Sequence, residues 1–217
     1  LSPARKYMEL EKILYCDKRY KDVKSNFKKI LKLLNKLCVW QYFGLPVKAI
    51  KYNMVNKVED RYLGLLIDIV DTLNPECLQT FLENFLKKEF AFNSKQIQKV
   101  FTYISGYYNA LNGMKNKDYF FKYFEDVSVI FPLLAKKSKH ITNKYMFFYE
   151  YIIRHGLVIK ISDLKINEDD IKNNFPKIDE RSYGRILEYL LSEVFDGKIK
   201  NTKEDLLQEI DKTFQTF

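Results

Sequence analysis

The strongest constraint on the fold is an apolar repeat of helical period near the start of the chain. Its members recur at spacings of 3, 4, 3, 4 and 3 residues: Tyr20, Val23, Phe27, Ile30, Leu34 and Leu37. This spacing follows the turn of an α-helix, so these side chains are predicted to share one apolar helix face. It is the clearest helix signal in the sequence.

Helix boundary signals recur along the rest of the chain. Capping residues at Ser2, Asn93 and Thr202 each predict the start of a helix. A further start is predicted at Asn74–Glu76, where an asparagine precedes a proline. An aromatic helix is predicted over residues 117–135, with Pro132 bending it or ending it one turn early.

The remaining signals also favour helices over sheet. Residues 139–155 are predicted to form a helix that Gly156 closes. The run Leu157–Ile166 alternates like a strand, but a lone strand of this kind is more consistent with an extended linker. With only 7 glycines and 5 prolines, the chain has few residues for the tight turns of a sheet fold. We therefore predict an all-α protein of nine to eleven helices.

Short links between successive helices predict antiparallel hairpins, roughly over residues 59–90, 94–135 and 139–196. Units of this size occur in α-solenoids of the HEAT type, although no residue signature repeats between them. The alternative is an irregular helical bundle. A length of 217 residues and 47% hydrophobic residues favour a single helical domain over residues 1–217.

The positive charge is concentrated in the first quarter of the chain. Residues 1–57 carry 14 basic and 4 acidic side chains, whereas the near-neutral body over residues 58–217 carries 23 basic and 24 acidic ones. On a helical wheel four lysines share a face away from the apolar repeat: Lys21, Lys24, Lys28 and Lys32. Three more lie at the margin of that face: Lys18, Lys29 and Lys36. This face is the predicted binding site for a nucleic acid or an acidic partner. The alternative is a solvated face that only aids solubility.

A search for catalytic chemistry finds no constellation that would carry a reaction. His140 and His155 lie far apart, and the three cysteines form neither a disulfide framework nor a metal knuckle. No glycine-rich phosphate loop is present. The spacing of Asp163 and Lys165 matches a motif of metal-dependent nucleases, but three residues are too few to specify it. We therefore predict a protein that is not an enzyme and has no metal or cofactor.

The chain is rich in aromatic residues, which make up 16% of it. Two groups lie next to lysines, at residues 120–124 and 145–151, where exposed rings could stack on single-stranded bases. Their helical spacing fits core packing better, so burial is the favoured interpretation of each ring. Aromatic residues on more than one helix face also suit a surface reserved for a partner.

Two functions follow from these features. The first is a non-catalytic helical scaffold that binds a protein partner within a multi-subunit assembly. The alternative is binding of RNA or of a DNA duplex backbone through the lysine face, without sequence specificity because lysine lacks the bidentate fork of arginine. The longest apolar run is too short to span a membrane, and no signal peptide opens the chain. We expect an intracellular protein of the nucleus or cytoplasm and, since Leu1 is not methionine, a fragment or processed product.

Overall fold

The computed structural model describes residues 1–20, 27–51 and 61–214, and it confirms the all-α fold. Of these residues 76% are helical and none is in a strand. Eleven α-helices of seven residues or more occur in this part of the chain, which agrees with the predicted number. None of the helices within the described ranges is long and apolar enough to cross a membrane.

Internal contacts divide the chain into two units, Leu1–Met146 and Phe147–Phe217. The first unit holds α1 (Pro3–Leu14), the short α2 (Cys16–Arg19), α3 (Phe27–Lys36), α4 (Arg61–Leu73), α5 (Leu78–Phe90), α6 (Ser94–Leu111), α7 (Asn116–Tyr123) and α8 (Val127–Lys137). Helix α9 (Lys139–His155) begins in the first unit and ends in the second. The second unit continues with α10 (Glu168–Asn174), α11 (Tyr183–Phe195) and α12 (Lys203–Phe214). Short 3-10 helices lie at Val39–Phe43, Phe124–Asp126, Ile161–Asp163 and Glu180–Ser182. The single domain over residues 1–217 stays a prediction.

Helix α4 forms the centre of the first unit. Its residues from Arg61 to Val70 are all buried, and it packs against α1 and α6. Helix α1 also packs against α5, which is distant from it along the chain. In a solenoid each repeat contacts its neighbours in sequence. The first unit is therefore an irregular helical bundle.

Several predicted helix boundaries are confirmed. Asn93 forms a capping box with Gln96, in which each side chain accepts a hydrogen bond from the other residue's backbone N–H. The Thr202 hydroxyl accepts a hydrogen bond from the N–H of Asp205 at the start of α12. Gly156 follows the last residue of α9 with φ of 57°, a left-handed conformation that glycine adopts without strain.

Two predicted boundaries are wrong. Helix α5 begins at Leu78 with Cys77 as its N-cap, and not at Asn74, which itself has a left-handed backbone. The helix predicted over residues 117–135 is interrupted at the 3-10 turn Phe124–Asp126, and Pro132 lies inside α8 without ending it. A proline removes one hydrogen bond, and the burial of the neighbouring Phe131 and Leu133 offsets that loss.

The second unit is built around α11, which packs against α10 and α12. Leu190 of α11 is fully buried, as are Ile171 and Ile210 of the two flanking helices. The run Leu157–Ile166 forms no strand, as predicted, and its 3-10 turn is flanked by extended backbone at Lys160 and Leu164. Leu164 is nevertheless buried and belongs to the core of this unit.

Candidate functional site

Among the described residues, helix α3 is anchored to the first unit through the side that carries Phe27, Leu31 and Asn35. Phe27 and Leu31 point inward and are each 2% exposed. One turn further, the Asn35 side chain accepts hydrogen bonds from the Trp40 indole and from the N–H of Ile50 at 3.0 Å. The same amide donates to the carbonyl oxygen of Ile50 at 3.1 Å. These contacts fix the rotation of α3 about its own axis, and therefore determine which residues face solvent.

A buried ion pair supports this anchored side. The guanidinium of Arg61 binds both carboxylate oxygens of Asp17, at 2.6 and 2.7 Å, and lies 4.6 Å from the ring centre of Phe27. Burial opposes ionisation of Asp17, but the hydrogen bonds and charge of Arg61 outweigh it, so the pKa of Asp17 lies below its ordinary value. Arg61 also donates to the carbonyl oxygen of Leu14, which connects α1, α2, α3 and α4.

Four of the predicted lysines come together on the outer side of α3. We call this set the lysine strip: Lys28, Lys29, Lys32 and Lys36. All four are exposed, and the helix Phe27–Lys36 contains no acidic residue. Lys29, Lys32 and Lys36 form no ion pair with any residue that the structure describes. Their charges therefore remain available to an anionic partner.

The other three predicted lysines are not part of this strip. Lys18 lies on α2, with its ammonium group 5.2 Å from the ring centre of Tyr15. Tyr20 then has an extended backbone, so α2 does not run into α3 as one helix. Lys21 and Lys24 lie outside the described residues.

The predicted apolar face of this segment is only partly buried. Phe27 is buried and Ile30 and Leu34 are half-buried, but Leu37 is 58% exposed and Tyr20 is 63% exposed. Val23 lies outside the described residues. The prediction of one continuous apolar face over Tyr20–Leu37 is therefore wrong at Tyr20 and Leu37, which are exposed.

Two leucines form an exposed row beside the lysine strip. Leu33 is 55% exposed, and the N–H of Leu37 donates to the carbonyl oxygen of Leu33 at 2.9 Å, which continues the helical hydrogen bonding. We call Leu33 and Leu37 the leucine strip. The 3-4-3-4-3 repeat omitted Leu33, and the four-residue spacing of the two leucines is the signal that could have found it.

An open groove of about 810 Å³ also lies in the first unit. Five of its lining residues are aromatic: Tyr7, Tyr15, Tyr62, Phe92 and Tyr103. The rings of Tyr7, Tyr62 and Phe92 lie 5.0–5.6 Å apart and pack against one another. Glu11 and Lys99, of opposite charge, both line the groove, so it does not select a ligand of one charge sign.

The catalytic candidates of the sequence are not brought together. No group of three His, Cys, Asp or Glu side chains that could hold a metal ion occurs in residues 1–20, 27–51 and 61–214. The Asp163–Lys165 turn is held by Asn201, whose side chain bonds the carbonyl oxygen of Asp163 and the N–H of Lys165. Its backbone hydrogen bonds give this turn a structural role.

The predicted burial of the two aromatic groups is confirmed for three of their nine rings, and four further rings are half-buried. Phe120, Tyr123 and Tyr145 are at most 1% exposed. Two rings of α9 depart from this interpretation, because Phe147 is 75% exposed and Tyr151 is 43% exposed.

Comparison of the chain with protein-family models, with curated proteins and with solved structures finds no match.

Proposed function

We propose that this protein is a non-catalytic helical interaction module that binds a protein partner within a larger assembly. The partner would contact the outer side of α3, where the leucine strip and the lysine strip lie next to each other. The observation that carries the proposal is the exposure of Leu33 and Leu37, at 55% and 58%, on a helix that is already anchored by its other side.

The arrangement of the two exposed leucines, and not their exposure alone, supports a binding surface. Single apolar residues on a surface are common and need no explanation. Leu33 and Leu37 instead lie one turn apart on the same side of α3, and the half-buried Ile30 continues their row. Burying such a row against a partner removes apolar surface from water, which is the main favourable contribution to most protein association.

Affinity capture from an extract of cells that contain the protein tests this function. The test compares wild type, the double change Leu33→Gln with Leu37→Gln, and a matched control, Leu1→Gln with Leu73→Gln. The control residues are also exposed leucines but lie outside the leucine strip. We expect proteins that are captured after nuclease treatment by wild type and by the control, and are lost from the strip variant. Equal capture by all three forms would contradict the proposal.

The lysine strip supports a second candidate function, binding of an RNA or DNA backbone. Lys28, Lys32 and Lys36 are exposed on three successive turns, so their positive charges lie along one side of the helix. In a gel-shift assay, changing all four lysines of the strip to Glu would abolish this binding. Binding by wild type no tighter than about 100 μM at physiological salt, the weak end of the non-specific range, would rule out this candidate.

A further inference from the structure

The outer side of α3 presents two parallel rows of different chemistry. Successive lysines at positions 28, 32 and 36 are separated by one turn, or about 6 Å along the helix axis. Leu33 and Leu37 form a second row with the same spacing. With about 100° of rotation per residue, the anchored side with Phe27 and Leu31 occupies the remaining part of the helix.

Resting on the proposed function, we infer that the partner segment is an acidic amphipathic helix. It carries acidic side chains four residues apart, which meet the lysine strip, and an adjacent row of apolar side chains, which meets the leucine strip. The partner is thus defined by its chemistry: a helix with one acidic row and one apolar row side by side.

Charge complementarity is the first argument for this partner. Several lysines elsewhere in the molecule pair with carboxylates within the fold: Lys6 binds Glu89 and Lys198 binds Glu193, both at 2.7 Å. On α3 the helix itself supplies no acid, and Lys29, Lys32 and Lys36 pair with none in the described part of the chain. An acidic partner provides the carboxylates that the fold does not.

Shape is the second argument. A helix that lies alongside α3 repeats its side chains with the same rise per turn, so that acids four residues apart stay in register with the lysines over two turns. Such a helix can also present two adjacent rows to one neighbour. An extended peptide presents a single row on each face, and so would engage either the lysines or the leucines.

Two other anionic partners fit less well. A nucleic acid backbone would pair with the lysine strip but would offer no apolar row to Leu33 and Leu37. A membrane-surface helix inserts its apolar face into the lipid boundary and carries its charges on the polar face. On α3 only one edge of the leucine strip is bordered by lysines, and the other edge is bordered by the anchored side with Phe27. The apolar face is therefore narrow and not flanked by charge on both edges, unlike that of a membrane-surface helix.

Fluorescence anisotropy with synthetic peptides tests the inference on the full chain. The probe is a helical peptide of about 20 residues, long enough to populate a helix in water, with Glu and Leu in two adjacent rows. A second peptide replaces each Glu with Gln, and a third replaces each Leu with Ala. We expect the Gln peptide to bind at least about tenfold more weakly, because several exposed ion pairs are lost together.

The protein variants locate the binding surface. Changing Lys28, Lys29, Lys32 and Lys36 to Gln should weaken binding of the acidic peptide by a similar factor. The affinity that remains should no longer depend on salt concentration. The matched control changes exposed lysines of the second unit to Gln, with the same loss of charge: Lys165, Lys177, Lys200 and Lys212. Circular dichroism of each variant verifies that the helices are retained.

Each outcome supports or overturns the inference. Equal binding of the Glu and Gln peptides, or equal losses in the strip and control variants, overturns it. So does tighter binding to phosphatidylserine vesicles or to single-stranded RNA than to the acidic peptide. If no peptide binds while Leu33→Gln with Leu37→Gln still removes captured proteins, the inference fails and the proposed function stands. If that double change removes no captured protein, the proposed function itself fails.

Discussion

Helices α3 and α4 both contain leucines and charged residues, but these are mostly exposed on α3 and mostly buried on α4. Helix α4 contains charged residues that are buried and paired: Arg61 binds Asp17, and Asp68 forms an ion pair with Lys51 at 2.9 Å. Its leucines Leu63, Leu65 and Leu66 are buried, and only Leu73 at its last position is exposed. Helix α3 leaves two leucines and the lysine strip in solvent. The comparison shows that α4 buries most of its apolar residues and pairs its buried charges within the fold, whereas α3 leaves apolar surface and positive charge exposed.

Removal of the buried ion pair should have the largest effect. Arg61→Ala leaves the carboxylate of Asp17, which is 10% exposed, without its counter-charge. Loss of one member of a buried pair typically costs about 3–5 kcal/mol. We expect a decrease of that size in the free energy of unfolding, measured by urea denaturation.

The matched control is Arg154→Ala, which breaks the exposed ion pair with Glu150 on α9. We expect a change of at most about 0.5 kcal/mol there, as for exposed pairs one turn apart. Similar losses of unfolding free energy in both variants would show that the buried ion pair of Arg61 stabilises the protein no more than an exposed one.

The same leucine truncation should separate the two helices clearly. Leu66 of α4 is fully buried, so Leu66→Ala should lower the free energy of unfolding by about 2–5 kcal/mol. Leu33→Ala on α3 should change it by at most about 0.5 kcal/mol, because the side chain is more than half exposed. A buried leucine is expected to lose about 2–5 kcal/mol of unfolding free energy on this change. A loss in that range for Leu33→Ala would mean that the leucine strip is covered in the free protein.

The buried pair also predicts a dependence of stability on pH. The pKa of Asp17 is lowered in the folded state, chiefly through Arg61 against the opposing effect of burial. Its stabilising contribution is therefore fully present above the unfolded-state pKa of about 3.9 and is lost as the pH falls through the lower, folded-state value. We expect Asp17→Asn to flatten the fall in thermal midpoint below about pH 4. An unchanged acid dependence in this variant would contradict the assignment.

The smallest predicted effect concerns the lysine strip. Lys28 and Lys32, and likewise Lys32 and Lys36, are like charges one turn apart, and each such pair destabilises a helix by about 0.2–0.5 kcal/mol. Replacing the strip with Gln should therefore leave the thermal midpoint unchanged or raise it slightly at low salt. A gain in stability together with a loss of partner binding would be the signature of a functional surface. A lowered midpoint would show that these lysines serve the fold instead.

Much of the fold could be predicted from local sequence. Caps such as Asn93 and Gly156 act through the hydrogen bonds of their own helix ends, which residue identity determines. The break at Phe124–Asp126 could not be predicted in this way. No glycine or proline marks this position. The break lets α7 and α8 each bury their own apolar side chains, and that packing is not a local property of the sequence.

For the candidate site, the sequence by itself determined that α3 is helical, basic and amphipathic, because the spacing of residues along a helix defines its faces. Only the tertiary structure decided which apolar residues are buried. The hydrogen bonds of Asn35 and the packing of Phe27 and Leu31 fix the rotation of the helix. That rotation turns Leu33 and Leu37 outward, and it depends on contacts with residues distant in sequence, which a periodic pattern does not contain.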